Sequence, residues 1–548
     1  MDILLIQPPV HDFYLTKKRT IPYGLACIAA SLKSEGFQAE IFDALATNKS
    51  KPIPWPEEMM YLQTFYHRKD QSPFGLFHTF RHFGYSFQHI GKIARESGAF
   101  LVGISSLFTA YSDQALKTAE TIKKWCPKVI VVIGGHHPTY FPRQVLMNPA
   151  IDFVIRGEGE HSLAALAKSL KNENSVEDIP GIAFRRNEKD FFISPPAMLQ
   201  NLDTIPLPDY ASIQNQYYKR KGQKSLVVVA SRGCPMKCSY CAFGNSQWIY
   251  RKKSVLRIID EISAGIGNSD AAFIDFEDEN ISMNKEWFMT LLAQIHKKFH
   301  SKHLTIRAMN GLYPSSLSTE MIYAMKQAGF NALNLSVGTL SKQQLKNFQR
   351  PDVSKHLPGI LKNAHQQDLA TTAYIIAGGL NQDPYECIDD MIQLFQMGTV
   401  VGLSVFYPAP GSQDYQTLKQ LKLLPDNMSL MRGTAIPIVH KTTRIQCVTL
   451  LRLTRIINFI YFLICNQQDI PRPEPCRMSK FPPDYNREQT GKYLLSCFFY
   501  DAVIRGIDEN GLIYEHQVDT NLVNHFLKQL RQDMPEFSDL SKYWDILY

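Results

Sequence analysis

Three cysteines stand within eight residues of one another: Cys234, Cys238 and Cys241, in the run SRGCPMKCSYC over 231–241. Their C-x3-C-x2-C spacing follows directly on an apolar run, Ser225 to Ala230, that reads as a buried strand. Loops leaving the C-terminal ends of parallel strands are where α/β folds place chemistry. Three thiolates on one short loop can hold three irons of a cubane cluster, leaving the fourth iron open to a substrate or cofactor. A structural zinc site would want four closed ligands, and no fourth Cys or His lies nearby in the sequence. On these three residues alone, a zinc loop or a chance group of buried thiols stays open as the alternative.

Other chemistry-bearing residues follow apolar runs in the same way. Glu277, Asp278 and Glu279 come directly after Ala271 to Phe276. Three consecutive acids are costly unless they meet cations or water, so this run is either a cation-receiving segment or a solvated one. Gly134 and Gly135 follow Val129 to Ile133, and glycines there let a ligand approach the backbone, because no Cβ intervenes. Ser105 and Ser106 end another apolar run and offer hydroxyls to a polar ligand tail. His136 and His137 are adjacent; neighbours on an extended segment point apart, so one metal is not expected to take both.

The elements that must position these residues fall into an ordered series. Up to about residue 195, short apolar runs at Ile3–Ile6, Ala39–Phe42, Leu101–Ser105, Val129–Ile133 and Phe153–Ile155 alternate with helical patterns near 23–35, 112–125 and 160–170. Such continuous apolar strands are buried on both faces, which predicts a doubly wound parallel sheet. Ligands on such sheets bind beyond the C-terminal strand ends. The loops there carry Pro8, Asp43, Ser105, Ser106, Gly134, Gly135, His137, Gly157 and Glu158. Residues 45 to about 95, dense in aromatics, His and Pro, are too long for an ordinary connection and suggest a lid, an interface or plain packing. Residues 196–224, with Pro206 and Pro208, read as a linker. From 225 the alternation restarts, with strands near 225–230, 271–276, 304–309, 332–337, 371–377 and 401–407, which fits an open, partial β/α barrel to about 425. Residues 426–548 read as a mainly helical cap, with a helix near 444–465, proline-rich breaks at Pro471–Pro475 and Phe481–Pro483, turn chemistry at Gly506–Gly511 and an amphipathic helix near 520–532.

Bulk properties bound the reading. The 548 residues are 45% apolar and 20% charged, ordinary for a globular chain. The net charge of +8 is scattered, apart from short groups at Lys219–Lys221 and Arg251–Lys253, so a solvated basic face is expected and no nucleic-acid partner. Seven of the ten cysteines are spread singly, which suits a reducing cytoplasm and not a disulfide scaffold. Met1 to Pro9 reads as a first strand and not as a signal peptide. The apolar stretch from Ile456 to Cys465 falls short of the roughly twenty residues of a membrane span, and none is expected.

The cysteine run resembles the signature of the radical S-adenosylmethionine (SAM) enzymes, with Tyr240 as the aromatic residue usual before the last cysteine. The resemblance implies a [4Fe–4S] cluster whose open iron chelates the SAM amino and carboxylate groups, and whose electron cleaves SAM to a 5′-deoxyadenosyl radical. It also implies the partial (β/α)6 barrel. Within it, Glu277 and Asp278 would receive the SAM amino group. Asn310 and Ser336 would lie at the third and fourth strand ends, and Ile376 and Tyr407 would lie near adenine. The family often has a glutamate where this chain has Gly338, which puts a polar contact there in doubt. The spacing of Ser105-Ser106-Leu107 to Gly134-Gly135 resembles the S-x-L…G-G pattern of the cobalamin-binding, Rossmann-like domain. The D-x-H-x-x-G element of that pattern is missing: His11 stands in the right loop with the wrong spacing, so no histidine is expected beneath cobalt.

Together these resemblances imply a cobalamin-dependent radical SAM enzyme methylating an unactivated carbon of a small-molecule substrate, with an electron donor such as flavodoxin or ferredoxin. Two alternatives accompany that reading: oxidative cyclisation or rearrangement with the same cofactors, and a non-catalytic cobalamin or SAM sensor.

Overall fold

The computed structural model describes residues 1–14, 20–66, 68–244, 248–482 and 485–533; Pro483 of the second proline-rich break lies outside them. The N-terminal third forms a seven-stranded sheet. Its strands lie in the order Phe191–Ile193, Ile182–Arg185, Phe153–Ile155, Ile130–Gly134, Leu101–Ser105, Ile3–Gln7, Ala39–Asp43. Five of them are parallel, and the pair at one edge is antiparallel. Alternate residues serve opposite faces. Leu4, Ile6, Val102, Ile104, Val131 and Ile133 pack under the helices Phe87–Ser97 and Ser112–Trp125. Ile3, Leu5, Leu101 and Val132 pack under Tyr23–Ser34 and Glu160–Lys171. Each such side chain contributes about 1.5–3 kcal/mol of burial, which is why the strands read as unbroken apolar runs. The strand order reverses beside Ile3–Gln7, the place where such sheets open a ligand crevice.

The aromatic segment after residue 45 is not one unit. Val10–Asp12, Ser50–Pro52 and Arg81–Phe83 form a small antiparallel sheet. Phe87–Ser97, which the aromatic density hid in the sequence, is a helix of the main sheet; the Ser86 hydroxyl caps it by accepting the His89 N–H. Phe13, Met59, Tyr66 and Phe80 pack against Ala435, Ile436, Cys447 and Val448. This segment is therefore an interface between the first and last thirds of the chain.

A histidine pair closes the small sheet. His82 Nε2 lies 3.0 Å from the Tyr85 carbonyl, and His11 Nε2 lies 2.8 Å from His82 Nδ1. The carbonyl can only accept, so His82 donates to it and receives the His11 N–H. Burial, with His82, Arg432 and Lys51 adding repulsion, pushes His11 down to about 4. The unfolded chain takes up this proton first as pH falls below the ordinary 6.5, so His11 removes stability in that window. Replacing it by Gln is expected to shrink the loss of unfolding free energy between pH 7 and pH 5 by about 2 kcal/mol, read from denaturant melts at the two pH values.

The middle of the chain carries six parallel strands. Gln223–Val228, Ala271–Phe276 and His303–Ala308 form one ladder; Ala332–Gly338, Ala370–Ala377 and Val400–Val405 form another. The bridges Ile306 to Phe330 and Leu312 to Leu335 link the two halves. The segment between the sheet and this barrel is anchored: Tyr210 is buried, with its hydroxyl 2.9 Å from the Val227 carbonyl.

The last third begins with the helix Arg444–Cys465, fixed by a Thr443/Gln446 capping box. Its 22 residues are long and apolar enough to cross a membrane, but 72% of the most apolar window is buried within the protein. Asn458, which interrupts the apolar stretch, donates to the Val401 carbonyl at 2.8 Å and accepts the Val401 N–H at 3.0 Å. The helix thereby satisfies both backbone groups of Val401 on the open edge of the sixth barrel strand.

Candidate active site

The cysteine loop is held from below and from both sides. Asp278, fully buried, accepts from the Ser231 hydroxyl at 2.6 Å and the Ala230 N–H at 3.2 Å. Gly233, at φ +80°, donates its N–H to Glu279 Oε2 at 3.1 Å, and a Cβ there would lie 2.5 Å from the Ile249 carbonyl. Ser239 donates its N–H to the Phe348 carbonyl at 2.9 Å and accepts the Asp414 N–H at 2.9 Å. Cys238 is buried; Cys234 and Cys241 are half-buried. Burial raises the Cys234 thiol above its usual range and pushes Cys241 up to about 11. Such thiols ionise when a metal takes the place of their protons. Among the described residues, no three Cys, His, Asp or Glu side chains converge on a point where one ion would sit. Three thiols on one short loop are the donor set that three irons of a cubane take, one sulfur to each iron, and the loop fits that group.

Arg350, which the sequence reading missed, crosses above this loop. It is buried, donating Nη1–H to Cys238 Sγ at 3.5 Å and to the Tyr240 hydroxyl at 3.0 Å, and Nε–H to the Val337 carbonyl at 2.8 Å. Its Nη2 reaches the Ser336 carbonyl, and the Ser336 hydroxyl at 3.2 Å. Gly338 makes room for it: a Cβ there would lie 2.9 Å from Arg350 Cδ. The missing glutamate at 338 thus has a physical counterpart, because the guanidinium passes through the space a side chain would fill.

The residues expected around SAM separate into two groups. Ser336, Ile376, Tyr240 and Tyr407 gather near the loop: Tyr240 and Ile376 share one apolar cluster with Phe406, and Tyr407 stands close enough to Cys241 and Tyr14 to feel both. Asn310 is exposed at the end of the third strand. The acidic run divides differently from the expectation. Glu277 is exposed and Asp278 is engaged beneath the loop, so Asp278 is a support and not a free receiver. Glu279 is the acid that reaches the loop beside Cys234, and burial pushes it up to about 7. Nothing in the run of three acids marks the third as the inward one; a turn decides it.

On the N-terminal sheet, the Ser105-Ser106 and Gly134-Gly135 loops form one surface. The Ser106 N–H donates to the Gly134 carbonyl at 2.7 Å, and His137 N–H to the Ser106 carbonyl at 3.2 Å. Gly135, at φ +120°, would place a Cβ 2.5 Å from the Ser106 carbonyl. The Ser106 hydroxyl is buried without a partner. Leu107 and Phe108 stand 43% and 47% exposed at this rim, and Tyr407, at the end of the sixth barrel strand, is 42% exposed. Open apolar side chains and an unpaired hydroxyl fit a broad, flat-faced cofactor with a polar tail. His137 is buried beside Thr109, with its ring pushed down to about 4.

Four expected contacts are engaged elsewhere. Pro8 is buried. Asp43 accepts from Tyr218, Gln7 and the Leu45 N–H. A Cβ at Gly157 would collide with Ala197, so packing alone explains that glycine. Glu158 is paired bidentately with Arg251 at 2.9 Å and lies 3.4 Å from Arg232, two residues before Cys234. Asp43, Gly157 and Glu158 thus tie the sheet to the segments that follow it.

A B12 binding domain model matches residues 79–167, and a Radical SAM superfamily model matches 228–395. An uncharacterized methyltransferase of Pyrococcus horikoshii is 27% identical over 63% of this chain and 67% of its own length. The anaerobic magnesium-protoporphyrin IX monomethyl ester cyclase of Synechocystis is 26% identical over 42% of this chain, which spans 46% of that relative. Among solved structures, the cobalamin-dependent SAM radical enzyme OxsB, with aqua-cobalamin and SAM bound, superposes with a TM-score of 0.62 at 14% identity, covering 100% of this chain and 78% of that one.

Proposed function

We propose that the chain is a cobalamin-binding radical SAM enzyme, using cobalamin, SAM and a [4Fe–4S] cluster, and that it methylates an unactivated carbon of a small molecule. When bound, these groups supply an adenosyl radical and a transferable methyl, chemistry that no side chain offers. The observation that carries the reading is the pairing of the two surfaces: the three-cysteine loop, and the Ser106/Gly135 surface rimmed by Leu107 and Phe108.

The chain's own residues bind, orient and shield. Cys234, Cys238 and Cys241 hold the cluster. Glu279 receives the SAM ammonium, in place of Glu277 and Asp278. Every donor nitrogen of Arg350 is engaged with protein, so it buttresses the loop, and the Ser336 hydroxyl, which accepts from Arg350, keeps its own proton to donate to the SAM carboxylate. Asn310, Ile376 and Tyr407 line the nucleoside side. Leu107 and Phe108 exclude water from the corrin face, and Ser105 and Ser106 meet its polar tail. A small acidic carrier such as flavodoxin or ferredoxin supplies electrons, and the isolated thiols suit a reducing cytoplasm.

The cyclase relative favours a second reading, oxidative cyclisation with the same cofactors. Anaerobic incubation of the reconstituted protein with SAM and candidate substrates separates the two. Methyl transfer yields S-adenosylhomocysteine beside 5′-deoxyadenosine; 5′-deoxyadenosine alone would sink the methyltransferase reading.

A further inference from the structure

The two cofactor surfaces sit on different sheets, yet chemistry between them needs a fixed separation, because a misplacement of about 1 Å can cost roughly a hundredfold in rate. The structure contains a device that sets it. The short helix His136–Tyr140 leaves the Gly134-Gly135 loop and drives Tyr140 into the turn after the sixth barrel strand. That turn has Gly411 at φ +87°, and a Cβ there would lie 2.2 Å from Tyr140 Cε1 and 2.4 Å from Cζ. The Tyr140 hydroxyl accepts the Trp248 Nε1–H at 2.9 Å. Trp248 is buried and follows the cysteine loop, and Phe243 between them meets the His136 ring edge-on at 5.4 Å. Phe141 meets Tyr415 at 6.1 Å on the far side of the same turn. On the loop's other flank, Arg232 pairs with Glu158 and Glu160, and Arg251 with Glu158.

We infer that Tyr140, seated on Gly411 and Trp248, is a positioning residue that fixes the distance between the cluster loop and the cobalamin surface. The inference rests on the function proposed above only in naming the two cofactors. Ordinary carbon contacts begin near 3.5 Å, so a methyl at Gly411 must displace the ring by at least about 1 Å, and the positive φ disfavours alanine further. Tyr140→Leu empties the seat instead, and Tyr140→Phe keeps the ring while removing only the bond to Trp248.

The test is pulsed dipolar EPR on the full chain loaded with the reduced cluster and cob(II)alamin, which requires no substrate. Wild-type protein is expected to give one narrow distance. Gly411→Ala and Tyr140→Leu should shift or broaden it by about 1 Å or more, with cofactor content unchanged, and Tyr140→Phe should broaden it less. A distribution identical to wild type in Gly411→Ala and Tyr140→Leu overturns the inference. Should those two variants fail to fold by circular dichroism, Tyr140→Phe decides alone, and an unchanged distribution overturns it. Absence of methyl transfer in wild type, with the distance shifted in the variants, would sink the methyltransferase reading and leave this inference standing.

Discussion

Cys238→Ala is expected to abolish SAM cleavage. Cys238 is the buried member of the three and the one whose sulfur accepts from Arg350. Without it the loop offers two thiols, which cannot hold three irons of a cubane. After anaerobic reconstitution the variant should lose the iron–sulfur absorbance and form 5′-deoxyadenosine only at background. The fold should survive, since deleting one buried sulfur costs about 1–2 kcal/mol, at the small end of large-to-small core changes. Cys27→Ala is the matched control: Cys27 is equally buried, in the helix Tyr23–Ser34 on the other sheet, and its loss should leave iron content and SAM cleavage at wild-type levels. Cleavage that persisted in Cys238→Ala would remove the basis of the whole site assignment.

Arg350→Met should have the next largest effect, through the same sulfur. A hydrogen bond from a charged donor is worth about 1.5–3 kcal/mol. Only the part of that energy gained on reduction moves the potential, so for a one-electron couple, at about 59 mV per factor of ten, the shift is bounded at roughly 60–130 mV. Positive charge and donors near cluster sulfur favour the reduced state, so the variant's cluster should be harder to reduce, by tens of millivolts up to about that bound. Redox titration followed by EPR reads the shift directly. The change also frees the Ser336 and Val337 carbonyls, so SAM affinity should fall with it. An unchanged potential alongside weakened SAM binding would confine Arg350 to a structural role.

Much of this arrangement was legible before any coordinate, for reasons that differ by element. Leu101–Ser105, Phe153–Ile155 and the helices Ser112–Trp125 and Arg444–Cys465 stand where their apolar patterns put them, because burial on two faces or along one stripe leaves a local trace. The antiparallel edge strands Ile182–Arg185 and Phe191–Ile193 are too short to leave one, and the turn between them dilutes it. The cysteine loop was readable because its three chemical groups lie on one stretch of chain. Arg350 was not, because it meets Cys238 from 112 residues away and belongs to the site only through a glycine on a third element. Asp278 and Glu279 show the same limit at close range. Both are acids in one loop, but a single residue of backbone rotation puts one beneath the loop and the other beside it.

The interface between the ends of the chain carries a consequence for how the molecule is made. Asp70 accepts the Ile507 N–H at 3.1 Å and pairs with His516 at 2.8 Å, while Arg452 reaches the Phe65 and Phe74 carbonyls. These contacts span hundreds of residues, so the segment around Asp70 leaves the ribosome long before its partners exist. Until residues 435–459 are synthesised, Tyr66, Phe74 and Phe80 lack the Ala435, Val448 and Phe459 surface that completes their burial, and contacts of such long range close slowly. The closing event of folding is therefore the docking of the last third onto the first. A chain cut after the barrel would carry both cofactor surfaces and still present an uncovered aromatic face to its neighbours.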